Sequence, residues 1–170
     1  MKKKLLFIAL LVLSTAAQAQ SDARVAEIRK LYAEVKQGIE LKIQADLPHD
    51  DMVVSLDYMA PGAGPIKDVT HYYYDGEFEE EANNVVYRPN FITRKFNIGA
   101  MEYYEEFLFE EGSLVFYYCK QLENETRFYW GPSGYLHEDI KGERLASPNS
   151  AASSANLMKD VFQMMIGRNN

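Results

Sequence analysis

Residues 101–140 read MEYYEEFLFEEGSLVFYYCKQLENETRFYWGPSGYLHEDI, and this stretch decides the fold. Aromatic and β-branched side chains, which favour pleated surfaces, recur there in short segments separated by turn residues. Turns are predicted at Glu111-Gly112, Glu123-Asn124 and Gly131–Gly134, where Gly and Asn can adopt the positive φ of tight hairpins. The predicted strands are Met101–Phe109, Leu114–Cys119, Thr126–Trp130 and Tyr135–Ile140. Connections this short predict a meander in which each strand pairs with the next.

The same alternation of apolar and polar residues extends upstream from this stretch. Met52–Tyr58 and Ile66–Tyr74 are predicted strands, and Asp75-Gly76 is predicted to turn the chain into a short return strand at Phe78. Two further strands are predicted on either side of Pro89-Asn90, at Val85–Arg88 and Phe91–Ile98. Gly99-Ala100 then turns the chain into the stretch quoted above.

Helical periodicity appears only at the two ends of the chain. Asp22–Ile43 is a predicted helix, capped by Ser21 or Asp22, and its apolar stripe consists of Val25, Ile28, Leu31, Tyr32, Val35 and Ile39. A polar surface linker is predicted over 141–154. A second helix with Ser153 or Ser154 as cap follows, and its apolar residues are Leu157, Val161, Met164 and Met165.

This order of elements predicts an α+β domain. It consists of an N-terminal helix, a curved antiparallel meander of about six to eight strands, and a C-terminal helix packed on the sheet. We expect both helices to cover one face of the sheet. Residues 20–170 are long enough to form a single domain with its own core.

The first nineteen residues have the layout of a secretory signal peptide. Lys2, Lys3 and Lys4 are followed by the apolar run Leu5–Leu13 and by Ala17-Gln18-Ala19, which fits an A-x-A cleavage site. The run is shorter than the roughly 20 residues of a membrane-spanning helix. We therefore predict an exported protein, periplasmic or secreted, with no transmembrane segment.

Charge and cysteine content exclude several classes of function. Removal of the three lysines lowers the net charge from −7 to −10, because no acidic residue leaves with them. Such a surface repels phosphate backbones, so nucleic-acid binding is not expected. Cys119 is the only cysteine, which excludes an intramolecular disulfide, and its strand-like surroundings predict a small buried residue.

The hairpin text resembles that of uncharacterised exported bacterial proteins with aromatic Y-Y-F-x-x-G-x-L phrases, and more distantly that of MORN-type repeats. The matching segments are YYEEFLF (103–109), GSLVFY (112–117), ETRFYW (125–130), GYL (134–136) and IRKLY (28–32). The resemblance implies a fold and an exported location. It implies no established activity and no catalytic residue.

Few residues suggest chemistry. His49, Asp50 and Asp51 resemble metal ligands in type but fit a polar loop, and the pair Glu105-Glu106 fits a solvated rim better than a pair of glycosidase carboxylates. His71 and His137 are predicted to be half-exposed sheet residues, with Asp139 on the same strand face as His137. Because no recognised catalytic motif is present, we predict no catalytic, cofactor-binding or metal-binding residue.

The aromatic surplus is the remaining functional signal, since the chain contains 12 Tyr, 9 Phe and 1 Trp. If the helices cover one sheet face, the other face presents a Tyr-rich surface, and exposed aromatic patches often mark binding sites. The predicted ligand-binding residues are Tyr72, Tyr74, Tyr104, Tyr117, Tyr129, Trp130 and Tyr135.

We therefore expect an exported, non-enzymatic binding module that uses this aromatic face or a groove between sheet and helix. Its ligand would be a small molecule, a glycan or a protein. One alternative is a small periplasmic hydrolase that uses a carboxylate pair or His137. The other is a carrier of apolar molecules, with Met158, Met164 and Met165 adapting to the cargo.

Overall fold

The structure is a computed structural model that describes residues 2–46, 51–62, 64–80 and 83–166, with side chains from residue 19 onward. In chain order the elements are α1 (Lys2–Gln44), β1 (Asp51–Ala60), β2 (Gly64–Glu79), β3 (Asn84–Ile98), β4 (Met101–Glu110), β5 (Ser113–Gln121), β6 (Asn124–Gly131), β7 (Gly134–Lys141) and α2 (Pro148–Ile166).

The seven strands form one antiparallel sheet whose spatial order is the chain order, β1 to β7. This arrangement confirms the predicted α+β meander between two helices. Gly99 and Gly112 have positive φ in the β3–β4 and β4–β5 turns, as the tight connections require. The β5–β6 turn is centred on Leu122 and Glu123, one residue earlier than predicted, and Asn124 already belongs to β6.

The two helices lie on opposite faces of the sheet. Val25 and Ile28 of α1 pack with Leu108 of β4, whereas Phe162 of α2 packs in a cluster that contains Phe107. Adjacent strand residues point to opposite faces, so these clusters are two separate cores. The expectation that both helices cover one face is therefore wrong, and aromatic side chains fill a core on each side.

The apolar stripe of α1 agrees with the prediction. Val25 and Ile28 are buried, and the partly buried Leu31, Tyr32, Val35 and Ile39 pack against the same cluster. In the structure α1 is continuous from Lys2 to Gln44. Ser21 and Asp22 therefore lie within it instead of capping its start.

β2 is longer than predicted because Asp75-Gly76 is not a turn. Gly76 pairs with Tyr87 of β3, and β2 continues as far as Glu79. A Cβ at Gly76 would lie 2.9 Å from Cε1 of Tyr87. The glycine is explained by this close cross-strand approach and not by a positive φ.

The two strands predicted around Pro89-Asn90 form one strand, β3. The register with β2 shifts between Tyr73 and Tyr74, which face Phe91 and Pro89 and leave Asn90 as the extra residue of a bulge. Asn90 donates a hydrogen bond of 2.6 Å from Nδ2 to Asp75. A bulge accommodates the proline, which cannot donate to the strand ladder.

α2 begins at Pro148, so the connection after β7 is shorter than the predicted linker of 141–154. Ser147 caps the helix: its Oγ accepts from the Ser150 backbone N–H at 3.1 Å, and Ser150 Oγ accepts from the Ser147 N–H at 2.9 Å. Proline suits the first helical position because it has no N–H to satisfy. The predicted caps Ser153 and Ser154 lie inside the helix.

The buried stripe of α2 also differs from the prediction. Ala151, Ala155, Met158 and Phe162 face the sheet. Leu157 and Met164 are more than half exposed, Met165 is 40% exposed, and Val161 is only partly buried. Both sets have helical spacing, so periodicity alone could not identify the docked one.

Candidate functional site

The seven aromatic residues predicted to bind a ligand do not form one surface. Tyr72, Tyr117 and Tyr129 are each no more than 2% exposed and belong to the cores. Tyr74 and Trp130 pack partly buried on the α2 side, and Tyr135 lies 6.3 Å from Trp130 between ring centroids. Tyr104 donates its hydroxyl to Glu106, which places it on the other side of the sheet with Tyr129.

Glu105 and Glu106 form no solvated rim, because both carboxylates are buried in the central strand β4. As neighbours in a strand they point to opposite faces of the sheet. They are therefore separated by the sheet and cannot act together on one glycosidic bond. Instead, each carboxylate is the centre of a hydrogen-bond network on its own face.

The Glu106 network joins the sheet to α1. Tyr32 donates its hydroxyl to Glu106 Oε2, while Lys36 Nζ and the Tyr104 hydroxyl reach Oε1 at 2.9 and 2.8 Å. Burial and the neighbouring carboxylate raise the pKa of both tyrosines, which keeps them protonated donors. The carboxylate is thus compensated by one cation and two hydroxyl groups.

The Glu105 network lies on the α2 side. The Arg94 guanidinium contacts Asp68 through Nε at 3.0 Å and Glu105 through Nη1 at 3.3 Å, and the Tyr117 hydroxyl donates to Glu105 at 2.7 Å. Burial raises the pKa of Glu105 despite these favourable contacts. The Arg94 guanidinium lies between the Asp68 and Glu105 carboxylates, and its charge-assisted hydrogen bonds hold the two acidic side chains close to it.

An open groove lies between α1 and strands β5, β6 and β7, next to the Glu106 network. Its volume is about 350 Å³ and it is lined by Arg29, Tyr32, Phe116, Arg127, Tyr129 and Asp139; we refer to it as the α1–sheet groove. Arg29 and Tyr32 are three residues apart on α1, so they lie on neighbouring parts of its surface. The other four residues come from three adjacent strands, and the paired register of β5, β6 and β7 places them side by side.

Asp139 is the polar centre of the groove. Its Oδ2 accepts from Arg29 Nη2 and from the Tyr129 hydroxyl, both at 2.9 Å, and its Oδ1 lies 3.1 Å from His137 Nε2. Partial burial opposes its ionisation, but these hydrogen bonds outweigh that effect and lower the pKa of Asp139. The groove therefore holds a fixed carboxylate at neutral pH.

Arg127 supplies the opposite charge on the same surface. Its guanidinium carbon lies 4.8 Å from the centroid of the Tyr118 ring, and Nη2 donates to Glu125 at 2.6 Å. Arg29 is similarly placed over the Tyr129 ring at 5.2 Å. The groove thus combines planar donors, a carboxylate acceptor and aromatic rings, which can hold a small polar ligand without covalent chemistry.

Sequence reasoning placed His137 and Asp139 on one face but missed Arg29 and Arg127. The period-two spacing of Arg127 with Tyr129 was an available signal. The docking position of α1 decides which strand residues remain accessible, and that position depends on long-range contacts. The spacing of Arg127 and Tyr129 could therefore not be interpreted without the fold.

The other candidates for chemistry are not assembled into a site. His71 stacks on Tyr73 with Nδ1 4.0 Å from an Asp51 carboxylate oxygen. His49 and Asp50 lie outside the described residues. In the part of the chain that the structure describes, no group of three or more His, Cys, Asp or Glu side chains is arranged to hold a metal ion.

Cys119 is buried at 3% exposure, as predicted. Burial raises the pKa of its thiol to about 11. A thiol in this environment is protonated at neutral pH and is a poor nucleophile.

The three methionines considered for an apolar carrier are not brought together. Met158 is in the core, where its sulfur accepts from the Tyr72 hydroxyl at 3.7 Å, whereas Met164 and Met165 are largely exposed.

No family model, no curated protein and no solved structure matches this chain. Among the residues that the structure describes, neither helix has the combined length and apolarity needed to cross a membrane.

Proposed function

We propose that this chain is an exported, non-enzymatic binding module that holds a small hydroxylated ligand, such as a glycan, in the α1–sheet groove. The observation that carries the proposal is the convergence of Arg29, Arg127 and Asp139 on one open depression beside tyrosine rings. Phe116 and Tyr129 are buried in the core beneath the groove, whereas the three charged side chains are at least one-third exposed, so core packing does not explain their presence.

The chemistry of the groove fits this ligand class. A hydroxyl group both donates and accepts hydrogen bonds, and the groove offers guanidinium donors next to the ionised carboxylate of Asp139. The apolar face of a sugar ring can lie against the partly exposed Tyr32, because flat aromatic rings give contact area at low entropic cost. A volume of about 350 Å³ lies at the lower end of the range for small-molecule sites.

Export is part of the same proposal. It is supported by the signal-peptide pattern of residues 1–19. A binding module outside the cytoplasm would meet glycans directly.

The test is ligand-observed NMR with a panel of neutral oligosaccharides and their uronic-acid counterparts. Arg127→Ala should abolish binding of any sugar that the wild-type protein recognises. Arg88→Ala is the matched control, since Arg88 is also an ion-paired strand arginine but lies on the β2–β3 hairpin with Glu77 and Glu79. Binding by neither protein, or equal binding by wild type and Arg127→Ala, would count against the proposal.

One observation favours a hydrolase as the second candidate. His137 lies 3.1 Å from Asp139 on the groove margin, and such a pair can act as a general base towards water. An activity found by screening with ester and glycoside substrates should be lost in His137→Ala and retained in His71→Ala. Unchanged activity in both variants would eliminate the histidine mechanism.

A further inference from the structure

The outer strand β1 is an unprotected apolar edge of the sheet. Val53, Leu56, Tyr58 and Met59 are each at least 50% exposed, and in the described part of the chain β1 pairs only with β2. Soluble proteins usually block such edges with lysine, proline, bulges or short strands. β1 runs for ten residues with no lysine, arginine, proline or register shift, and its only charged residues are Asp51 at its first position and Asp57.

The opposite edge of the same sheet is protected. β7 carries His137, Glu138, Asp139 and Lys141, and its pairing with β6 is interrupted by a register shift. The difference between the edges indicates that β1 is not simply a solvent-facing strand.

We propose that β1 pairs antiparallel with β1 of a second copy of this chain, with Leu56 on the two-fold axis. In that register Leu56 faces Leu56, Val54 faces Tyr58 and Met52 faces Ala60 on the α2 side of the sheet. On the α1 side Val53 faces Met59. The two copies together form one continuous 14-stranded sheet from two seven-stranded sheets.

The arrangement of polar residues selects this register. Ser55 faces Asp57 of the second copy, so a hydroxyl donor meets a carboxylate acceptor at each of two symmetric positions. In a register with Ser55 on the axis, Val53 would face Asp57. In a register with Asp57 on the axis, the Asp57 carboxylates of the two copies would face each other. Only the Leu56 register pairs every apolar residue of β1 with an apolar residue, so the strand is complementary to itself. This isologous contact is the type that closes a two-fold dimer.

The oligomeric state tests the proposal independently of any ligand. Light scattering during size-exclusion chromatography, extended to high protein concentration, should show a dimer for the wild-type protein. Leu56→Lys places two ammonium groups opposite each other and should give a monomer. Ile140→Lys is the matched control, because Ile140 is a 39% exposed apolar residue on the opposite edge strand, and this variant should remain dimeric. A monomeric wild-type protein, or a dimer that survives Leu56→Lys, would overturn the proposal.

A cross-linking experiment tests the register even if Leu56→Lys does not fold. Leu56→Cys places two thiols directly opposite each other, within reach of a disulfide after oxidation with diamide. Tyr58→Cys is the matched control: Tyr58 has nearly the same exposure on the same face, but the two thiols of this variant would be separated by about 13 Å along the strands. A covalent dimer of Leu56→Cys alone is expected, and equal cross-linking of both variants, or of neither, would overturn the register. Cys119 does not interfere because it is buried.

Discussion

Glu105 and Glu106 differ by one position in the chain but belong to different cores. Both are buried, and each is compensated by one cation and at least one tyrosine hydroxyl on its own face. A buried charge that loses its partner is strongly destabilising, whereas an exposed ion pair contributes little. Substitution of either glutamate therefore tests how much its hydrogen-bond network contributes to the stability of the fold.

Glu106→Ala should lower the free energy of unfolding by about 2–4 kcal/mol, because it leaves Lys36 and two tyrosine hydroxyls without their acceptor. Glu102→Ala on the same strand is the control: its carboxylate pairs with Lys95 at the surface, 70% exposed, and its removal should leave the unfolding midpoint unchanged. Urea denaturation measures both. Equal midpoints for the two variants would show that the Glu106 network does not stabilise the fold.

Glu105 should give a pH-dependent stability. Burial raises its pKa above the ordinary value of 4.5, so the folded chain binds the proton more tightly than the unfolded chain. The contribution of Glu105 to the free energy of unfolding is then greatest below pH 4.5 and falls as the pH rises through the folded-state pKa. Glu105→Gln cannot ionise, so its melting temperature relative to wild type should be higher at about pH 7 than at about pH 4.

The pH dependence of stability that we expect from Asp139 is opposite in sign to that of Glu105. Hydrogen bonds from Arg29, Tyr129 and His137 outweigh its partial burial and lower its pKa below 3.8, so its contribution is present above that pH and is lost on acidification. The melting temperature of Asp139→Asn relative to wild type should therefore be lower at neutral pH than at acidic pH. The same sign for both variants in thermal melts would contradict these assignments.

At the level of elements, α2 has two apolar stripes and uses one of them. The docked stripe contains Phe162, which is fully buried against Tyr72 and Tyr74, whereas Leu157 is 57% exposed. The small side chains of Ala151 and Ala155 belong to the same docked stripe and are buried. The longer Leu157 and Met164 remain on its outer side.

Phe162→Ala should lower the free energy of unfolding by about 3–5 kcal/mol, because it removes a buried ring and leaves a cavity between helix and sheet. Leu157→Ala should change it by less than about 0.5 kcal/mol, since alanine is at least as good a helix former and little apolar area is buried. Chemical denaturation of the two variants decides which stripe is docked. A larger loss for Leu157→Ala would mean that α2 packs through the stripe that contains Leu157 and not through the one that contains Phe162.

At the scale of the whole molecule, the sheet is a central layer with one helix on each side. Its two cores share the strands but not the side chains, and Cys119 is buried in the core on the α2 side. A reagent can reach this thiol only when that core opens.

Cys119 should therefore not react with a disulfide reagent in the folded protein. Burial raises the pKa of the thiol to about 11 and also blocks access, so both requirements for attack are missing. In denaturant one thiol per chain should react rapidly, which makes the residue a probe of global unfolding. Rapid reaction of the native protein would show that the α2 side opens readily.

Local periodicity by itself determined β1, the strands from β4 to β7, most of the turns and the docked face of α1, but it ended β2 too early and divided β3 into two strands. Val25 and Ile28 repeat at helical spacing with no competing apolar stripe, so this stripe could be read directly. The burial of Cys119 followed in the same way from its apolar strand.

Only the tertiary structure decided which surfaces remain in water. Tyr104 and Tyr117 lie on opposite strand faces with equally aromatic neighbours, so alternation separates the two sets without saying which one a helix covers. Glu106 was predicted to lie at the surface because its partner Lys36, 70 positions earlier in the chain, gives no local signal. Long-range contacts of this kind depend on how helices dock on the sheet, and docking is governed by packing across the whole fold and not by any local pattern.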